Sequence, residues 1–407
     1  MRLKTVFFTD DLIALVTKSL FFIIFPGYLI YNLLVLYNLI PPFLGGYFGL
    51  VSAISFALYL PAFANLINRN IKTSLWLSLI GIGSFLIALL VTLTSIYYEF
   101  SAAAVQSLEL LIFWYGFFAL GFYLIATNFK SVKALDIILY SFFAYSLFYI
   151  AKEQTLMLKF GTSDVDNDAV SGYQGIARNL LVIAFFAVSY AKTKWQSFVK
   201  IIITAVLLFL VGARSEFFAF MVAILCLHSL LAFKLKSSFL AIALIFVAGV
   251  MAVAPNLTTL SESRQLQVLN LGESSSWQGR QQMQELALKQ ISNQPFWGEF
   301  GGHTQFGAGA KTEIGAYAHN ALSGYVNYGF VFIVLYMIFA SYATAHSAFK
   351  VFKDPTNQGW QLSFLFTFTV LFLLIFAKPV FWPIIYLGWG VFMGCLYKSK
   401  FDSLKIN

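Results

Sequence analysis

Trp360-Gln361-Leu362-Ser363-Phe364-Leu365-Phe366-Thr367-Phe368-Thr369-Val370-Leu371-Phe372-Leu373-Leu374-Ile375-Phe376-Ala377 carries no ionisable side chain, and the charges that bracket it are Asp354 and Lys378. At 1.5 Å per residue such a run makes a helix of about 27 Å, close to the thickness of a bilayer's hydrocarbon core. A helix is also the form in which a single segment satisfies all its backbone N–H and C=O groups without water. The stretch therefore reads as a transmembrane helix.

Runs of the same kind recur along the chain, at about 19–39, 43–64, 74–97, 108–126, 134–151, 173–191, 199–213, 215–233, 237–254, 319–345, 360–377 and 380–397. The bulk composition agrees: 60% of the 407 residues are apolar, 18% aromatic and only 11% charged, against about 25% charged in a soluble domain. Mean hydropathy is +0.80. A soluble enzyme, a disordered chain and a collagenous one are all excluded. The amino-terminal Met1-Arg2-Leu3-Lys4 leads into an apolar run with no small-residue cleavage signal, so the first span is expected to be retained.

Orientation follows from the basic residues, which accumulate in short cytoplasmic loops. With the amino terminus inside, every inner loop carries a basic pair: Arg69/Lys72, Lys130/Lys133, Lys192/Lys194, Lys234/Lys236 and Lys350/Lys353. The inner side then holds 17 of the 26 basic residues and five of the 17 acids, a balance of +12. The outer side holds nine and twelve, a balance of −3, and the two make the net +9. The expected architecture is an all-α polytopic membrane protein of about twelve spans, with both termini cytoplasmic. It divides into residues 1–254 (spans one to nine), an outer loop 255–318, and residues 319–407 (spans ten to twelve). The positive charge reads as topology, since no basic cluster lies on a soluble face as nucleic-acid binding would need. The lipid bilayer is the first partner. Cys226 and Cys395 both lie in apolar runs and read as packing residues.

The 255–318 loop is 64 residues long where most others are ten or fewer, and loops of that size usually carry function. Within it, Ser274-Ser275-Ser276 can cap a helix over about 277–292. On a 100° helical wheel Trp277, Met283, Leu286, Ala287, Leu288 and Ile291 form one apolar face, and Arg280 falls on it. Glu285 and Lys289 fall opposite, four residues apart. An arginine turned toward a membrane body needs a fixed anion. That anion is either a ligand phosphate or an internal carboxylate such as Glu216.

Three further positions place polar chemistry at outer span ends. Arg214, in Gly212-Ala213-Arg214-Ser215-Glu216, sits at the turn between two spans, where an ionisable group is either functional or snorkelling to headgroups. Arg178, beside Asn179, invites the same two readings. His319 and Asn320 open the tenth span directly after the long loop; a histidine there is either a base near neutral pH or an interfacial hydrogen-bonding residue. His228, His303 and His346 are less well placed, and no two histidines show metal-ligand spacing. Asp164-Val165-Asp166-Asn167-Asp168 alternates carboxylates but fails the EF-hand pattern at Ala169 and reads as a solvated acidic loop.

Taken together, Gly212-Ala213-Arg214-Ser215, then Gln294-Pro295-Phe296-Trp297-Gly298, then Ala318-His319-Asn320 followed by Tyr328-Gly329-Phe330 resemble the bacterial O-antigen polymerase and O-antigen ligase superfamily. The architecture is similar over the whole chain and the motifs cover about 200–335. What the resemblance implies is an all-helical fold of the C type of glycosyltransferase in the bacterial inner membrane, with its active site facing the periplasm. The implied reaction is a metal-independent, inverting transfer of a glycan from undecaprenyl diphosphate, with no cofactor. His319 would orient or deprotonate the acceptor hydroxyl, while Arg280 and Arg214 would hold the diphosphate. Arg178, Asn320 and Arg264 stand as secondary substrate-binding candidates; the stretch around Arg178 follows the family pattern only loosely. The expected activity is polymerisation of lipid-linked repeat units, with a chain-length regulator as a further partner to consider. The alternatives are a ligase passing polymer to lipid A core, a protein oligosaccharyltransferase, or, from a different class, a transporter of the lipid-linked glycan.

Overall fold

The computed structural model describes residues 10–36, 39–40, 54, 57, 116–129, 132–153, 158, 169–235, 275–299 and 318–406. Among these the regular elements are all helical. Helix α1 (Asp10–Phe22) passes through a π-helical turn (Ile23–Gly27) into α2 (Tyr28–Leu36). There follow α3 (Gly116–Ala126), α4 (Val132–Glu153), α5 (Ala169–Ser189), α6 (Lys194–Val211) and α7 (Arg214–Leu235). The chain then gives α8 (Ser275–Asn293), α9 (Leu322–Lys353), α10 (Gln358–Phe376) and α11 (Pro383–Ile406).

Among the described residues, six stretches are long and apolar enough to cross a membrane: Asp11–Val35, Lys133–Glu153, Lys194–Val211, Arg214–Ala232, Leu322–Lys353 and Gln358–Phe376. The sequence spans at 134–151, 199–213, 215–233 and 360–377 lie close to four of these. The first starts at Asp11 rather than at 19, because Lys18 is exposed on the helix surface and Asp10 and Asp11 suit a helix amino terminus. The tenth starts at Leu322 rather than at His319 and runs on to Lys353. Helices α5 and α11 occupy 173–191 and 380–397, outside the six, and α3 fills the end of 108–126. The spans 43–64, 74–97 and 237–254, and most of the 255–318 loop, lie outside the described residues.

Local chemistry sets the helix ends. The Thr193 hydroxyl accepts from the Gln196 N–H to cap α6, and Gly212, at φ 82°, closes that helix in the left-handed conformation that glycine adopts without a Cβ clash. Arg214 then starts α7 two residues later, so the chain reverses in a tight hairpin. Asn357 caps α10 by accepting from the Trp360 N–H. Helix α10 is central, packed against α9, α11, α7 and α5 with Leu362, Leu365, Phe366 and Leu373 fully buried. Between α3 and α11 the backbones nearly touch. A Cβ on Gly390 would meet the Phe118 carbonyl at 2.1 Å, and one on Gly394 the Phe122 carbonyl at 2.7 Å. This is the small-residue seam by which helices approach closely in lipid.

One of the 17 basic residues of the inner side is turned into the protein rather than toward water. Lys200 is buried within α6, where its ammonium lies 2.7 Å from Asp136 of α4 and donates to the Ala187 carbonyl of α5 at 3.0 Å. Since Asp136 was counted on the same side, the balance of +12 is unchanged by their pairing.

Candidate functional site

Helix α8 forms where the sequence placed it, within two residues at each end. Its Met283, Leu286, Ala287 and Ile291 pack on Ala318, Leu322 and Val326 at the start of α9. Arg280 lies one turn before Met283 on that face and is half-buried, while Glu285 and Lys289 are exposed on the far side. Leu288, 80° from the centre of the apolar face, is exposed as well.

The chain leaving α8 docks onto α9 at an interruption in that helix. Gly329 has φ 79° and ψ −176°, a region open in practice only to glycine, so α9 is two helical pieces, 322–328 and 330–353. The break frees two groups that a continuous helix would pair with each other, the Phe330 N–H and the Val326 carbonyl. Both find partners in the 294–299 turn: Phe330 N–H donates to the Phe296 carbonyl at 3.0 Å, and Glu299 N–H donates to the Val326 carbonyl at 2.6 Å. Gly298 (φ 69°) makes the approach possible, since a Cβ there would meet Gly329 N at 2.6 Å. Glu299 is further tied by the Gln290 amide, 2.6 Å from its carboxylate. The Gln294–Gly298 and Tyr328–Phe330 motifs, separate in sequence, are thus one joint.

Helix α8 packs beside the turn that carries His319, against Ala318 and Leu322. Ala321 N–H donates to the Leu374 carbonyl at the end of α10 (2.7 Å), and the Ser323 hydroxyl accepts from Val380 N–H (3.0 Å), so the start of α9 is bound to the α10–α11 connection. Asn320, a candidate for substrate binding, uses its side-chain oxygen to accept from Leu322 N–H at 3.0 Å, capping a first-turn donor that has no partner inside the helix.

This arrangement brings His319 within electrostatic reach of two cations, Arg280 of α8 and Lys378 of the α10–α11 connection. Burial, then Arg280, then Lys378 push the imidazole's pKa down to about 4. His319 is therefore neutral at pH 7. Lys378 was not singled out in the sequence, yet it is the ion-pair partner of Glu216, at 2.6 Å, and it donates to the Gln174 side chain at 3.4 Å. Glu216, weighed above as a partner for Arg280, is thus held by Lys378. The Glu216 carboxylate also accepts from the Ser215 hydroxyl at 2.7 Å.

Arg178 lies deeper, on α5. It hydrogen-bonds the Tyr28 side chain of α2, with its guanidinium carbon 5.6 Å from the ring centroid, and it lies in the field of Glu216. Tyr28 is eight residues, about 12 Å, short of the end of α2. The polar cluster therefore reaches inward from the helix ends. Arg214 is half-buried at the first position of α7, two residues before Glu216. Arg264, His303 and Asp164 to Asp168 lie outside the described residues. His346 is tied to Tyr342 (3.1 Å) and packs on Trp360, away from the cluster. Among the described residues no group of three His, Cys, Asp or Glu side chains could hold a metal ion.

Lys378 did carry a signal in the sequence. It is a lone charge between two long apolar runs, which is the argument applied to Arg214. Its pairing with Glu216 across 162 positions carried none. Searches of family models and of curated proteins find no match to this chain.

Proposed function

We propose that the protein is a bacterial inner-membrane glycosyltransferase that polymerises surface-polysaccharide repeat units carried on undecaprenyl diphosphate. On this reading the chain has twelve spans with both termini in the cytoplasm, and the 255–318 loop and His319 face the periplasm. The observation that carries the proposal is a neutral, half-buried histidine flanked by Arg280 and Lys378 at the end of a membrane-helix bundle.

The chemistry uses His319 and Arg280, with Arg214 as a second cation. The acceptor hydroxyl oxygen attacks the anomeric carbon from the side opposite the diphosphate, and the bond from that carbon to the diphosphate oxygen breaks. The hydroxyl proton passes to His319, and undecaprenyl diphosphate leaves with the bond electrons, so the anomeric configuration inverts. Arg280 and Arg214 stabilise the anionic leaving group, as oriented guanidinium donors do best in a site shielded from water. The low proton affinity of His319 fits this order of events. The same cations that depress it are neutralised by a bound diphosphate, which raises the basicity of the imidazole once the donor is in place.

A ligase would use the same donor chemistry with a different acceptor. The broken helix α9 is a feature that a transporter of the lipid-linked glycan would also have. Here the freed backbone groups are taken by the 294–299 turn, a pairing that gives no ion a place. The test is His319→Ala in a strain deleted for the gene, with its lipopolysaccharide run beside the wild-type complement. Core bearing a single repeat is the expected result. Bare core identifies a ligase, and an unchanged ladder overturns the mechanism.

A further inference from the structure

Resting on the reading of this site as one for a lipid-linked diphosphate, we propose that Lys378 is a further diphosphate-binding cation, held in position by Glu216 and Gln174. The backbone around it is fixed on both sides. Lys378 N–H donates to the Leu373 carbonyl at 2.7 Å, and two residues on the Val380 carbonyl accepts from the Tyr336 and Tyr386 hydroxyls at 3.1 and 2.6 Å. The ammonium itself is almost fully buried, 2.6 Å from Glu216 and 3.4 Å from the Gln174 oxygen, and lies 5.8 Å from the Trp382 ring centroid. An ammonium has three N–H donors. Among the described residues Gln174 accepts from one of them and the Glu216 carboxylate lies within ion-pair distance, which leaves a donor for a phosphate oxygen.

The charge balance points the same way. Among the described residues, and apart from the exposed Glu285 and Lys289 of α8, this end carries four cations, Arg178, Arg214, Arg280 and Lys378, and two carboxylates, Glu216 and Glu299. The surplus of two positive charges matches a dianionic diphosphate. A buried ion pair is seldom needed for stability, because desolvation offsets most of its attraction. A positioning role accounts for the Glu216–Lys378 pair better than a stabilising one. Lys378 also faces His319 from the α10–α11 connection while Arg280 faces it from α8, so both cations bear on the base.

The test uses the full chain purified in detergent micelles, with farnesyl diphosphate as probe, binding measured by calorimetry and the His319 imidazole titrated by NMR. Lys378→Ala is expected to weaken binding about tenfold or more, the loss of one charged hydrogen bond. It should also raise the His319 midpoint from about 4 part of the way toward 6.5, because burial, the larger cause, remains. Lys378→Arg should restore most of the affinity. The pair Lys378→Met with Glu216→Gln removes both charges without stranding a buried carboxylate. It should fold and still bind weakly. Wild-type affinity in Lys378→Ala or in the paired variant overturns the role of Lys378 and leaves the diphosphate reading standing. Failure of the wild-type protein to bind the probe overturns both.

Discussion

Burial and two neighbouring cations keep the His319 imidazole neutral near pH 7. Half-buried and flanked by Arg280 and Lys378, its ring takes up a second proton only near pH 4. A base must be unprotonated to act, so kcat/KM for transfer should stay flat as pH falls from 7 to 5 and decline only toward 4. An acid limb near 6.5 would place the base elsewhere. The linkage has a sign as well. Between about 4 and 6.5 the unfolded chain binds a proton at this position and the folded chain does not, so the protein loses stability as pH falls through that window. His319→Gln should remove that part of the acid dependence in thermal melts. Arg280→Lys should lower transfer by about tenfold or more, because a lysine keeps the charge but cannot present two parallel N–H donors to a phosphate.

At the scale of elements, α8 and α9 meet through a pair of glycines. A Cβ on Gly329 would lie 2.3 Å from the Phe296 carbonyl, in a backbone region that disfavours any side chain. Gly329→Ala should therefore cost about 2 kcal/mol or more and lower transfer, since the joint it opens ties to α9 the helix that carries Arg280. Thermal midpoints in detergent together with the polysaccharide ladder would show both effects. The α4–α6 contact includes an ion pair, Asp136 with Lys200. Asp136→Ala leaves the Lys200 ammonium buried and should cost about 3 kcal/mol, whereas Asp136→Leu with Lys200→Met should be much better tolerated. The distinction is read from the same melts.

Across the described helices, the loop lysines Lys194, Lys350 and Lys353 lie at the helix ends opposite the polar cluster. Trp297, 81% exposed beside the α8–α9 joint, belongs to the His319 end, while Trp195, 69% exposed, is at the far end of the eighteen-residue α6. In a background lacking Cys226 and Cys395, Trp297→Cys should react with a membrane-impermeant thiol reagent in intact cells with a permeabilised outer membrane, and Trp195→Cys only after lysis. The reverse pattern would invert the proposed orientation. The helical class, the α8 boundaries, the face that carries Arg280, and the α4, α6, α7 and α10 spans were all legible in the sequence, because each depends on hydropathy, spacing or capping within about twenty neighbouring residues. The start of α9 at Leu322, the capping duty of Asn320, the burial of Lys200 and the partnership of Glu216 with Lys378 were not, since each is set by a group that comes close only when helices pack. The same holds for the site. Sequence determined which polar residues stand at helix ends. Only the tertiary structure decided that Arg280 and Lys378 both bear on His319, because helix packing places the α8 face and the α10–α11 connection against one turn.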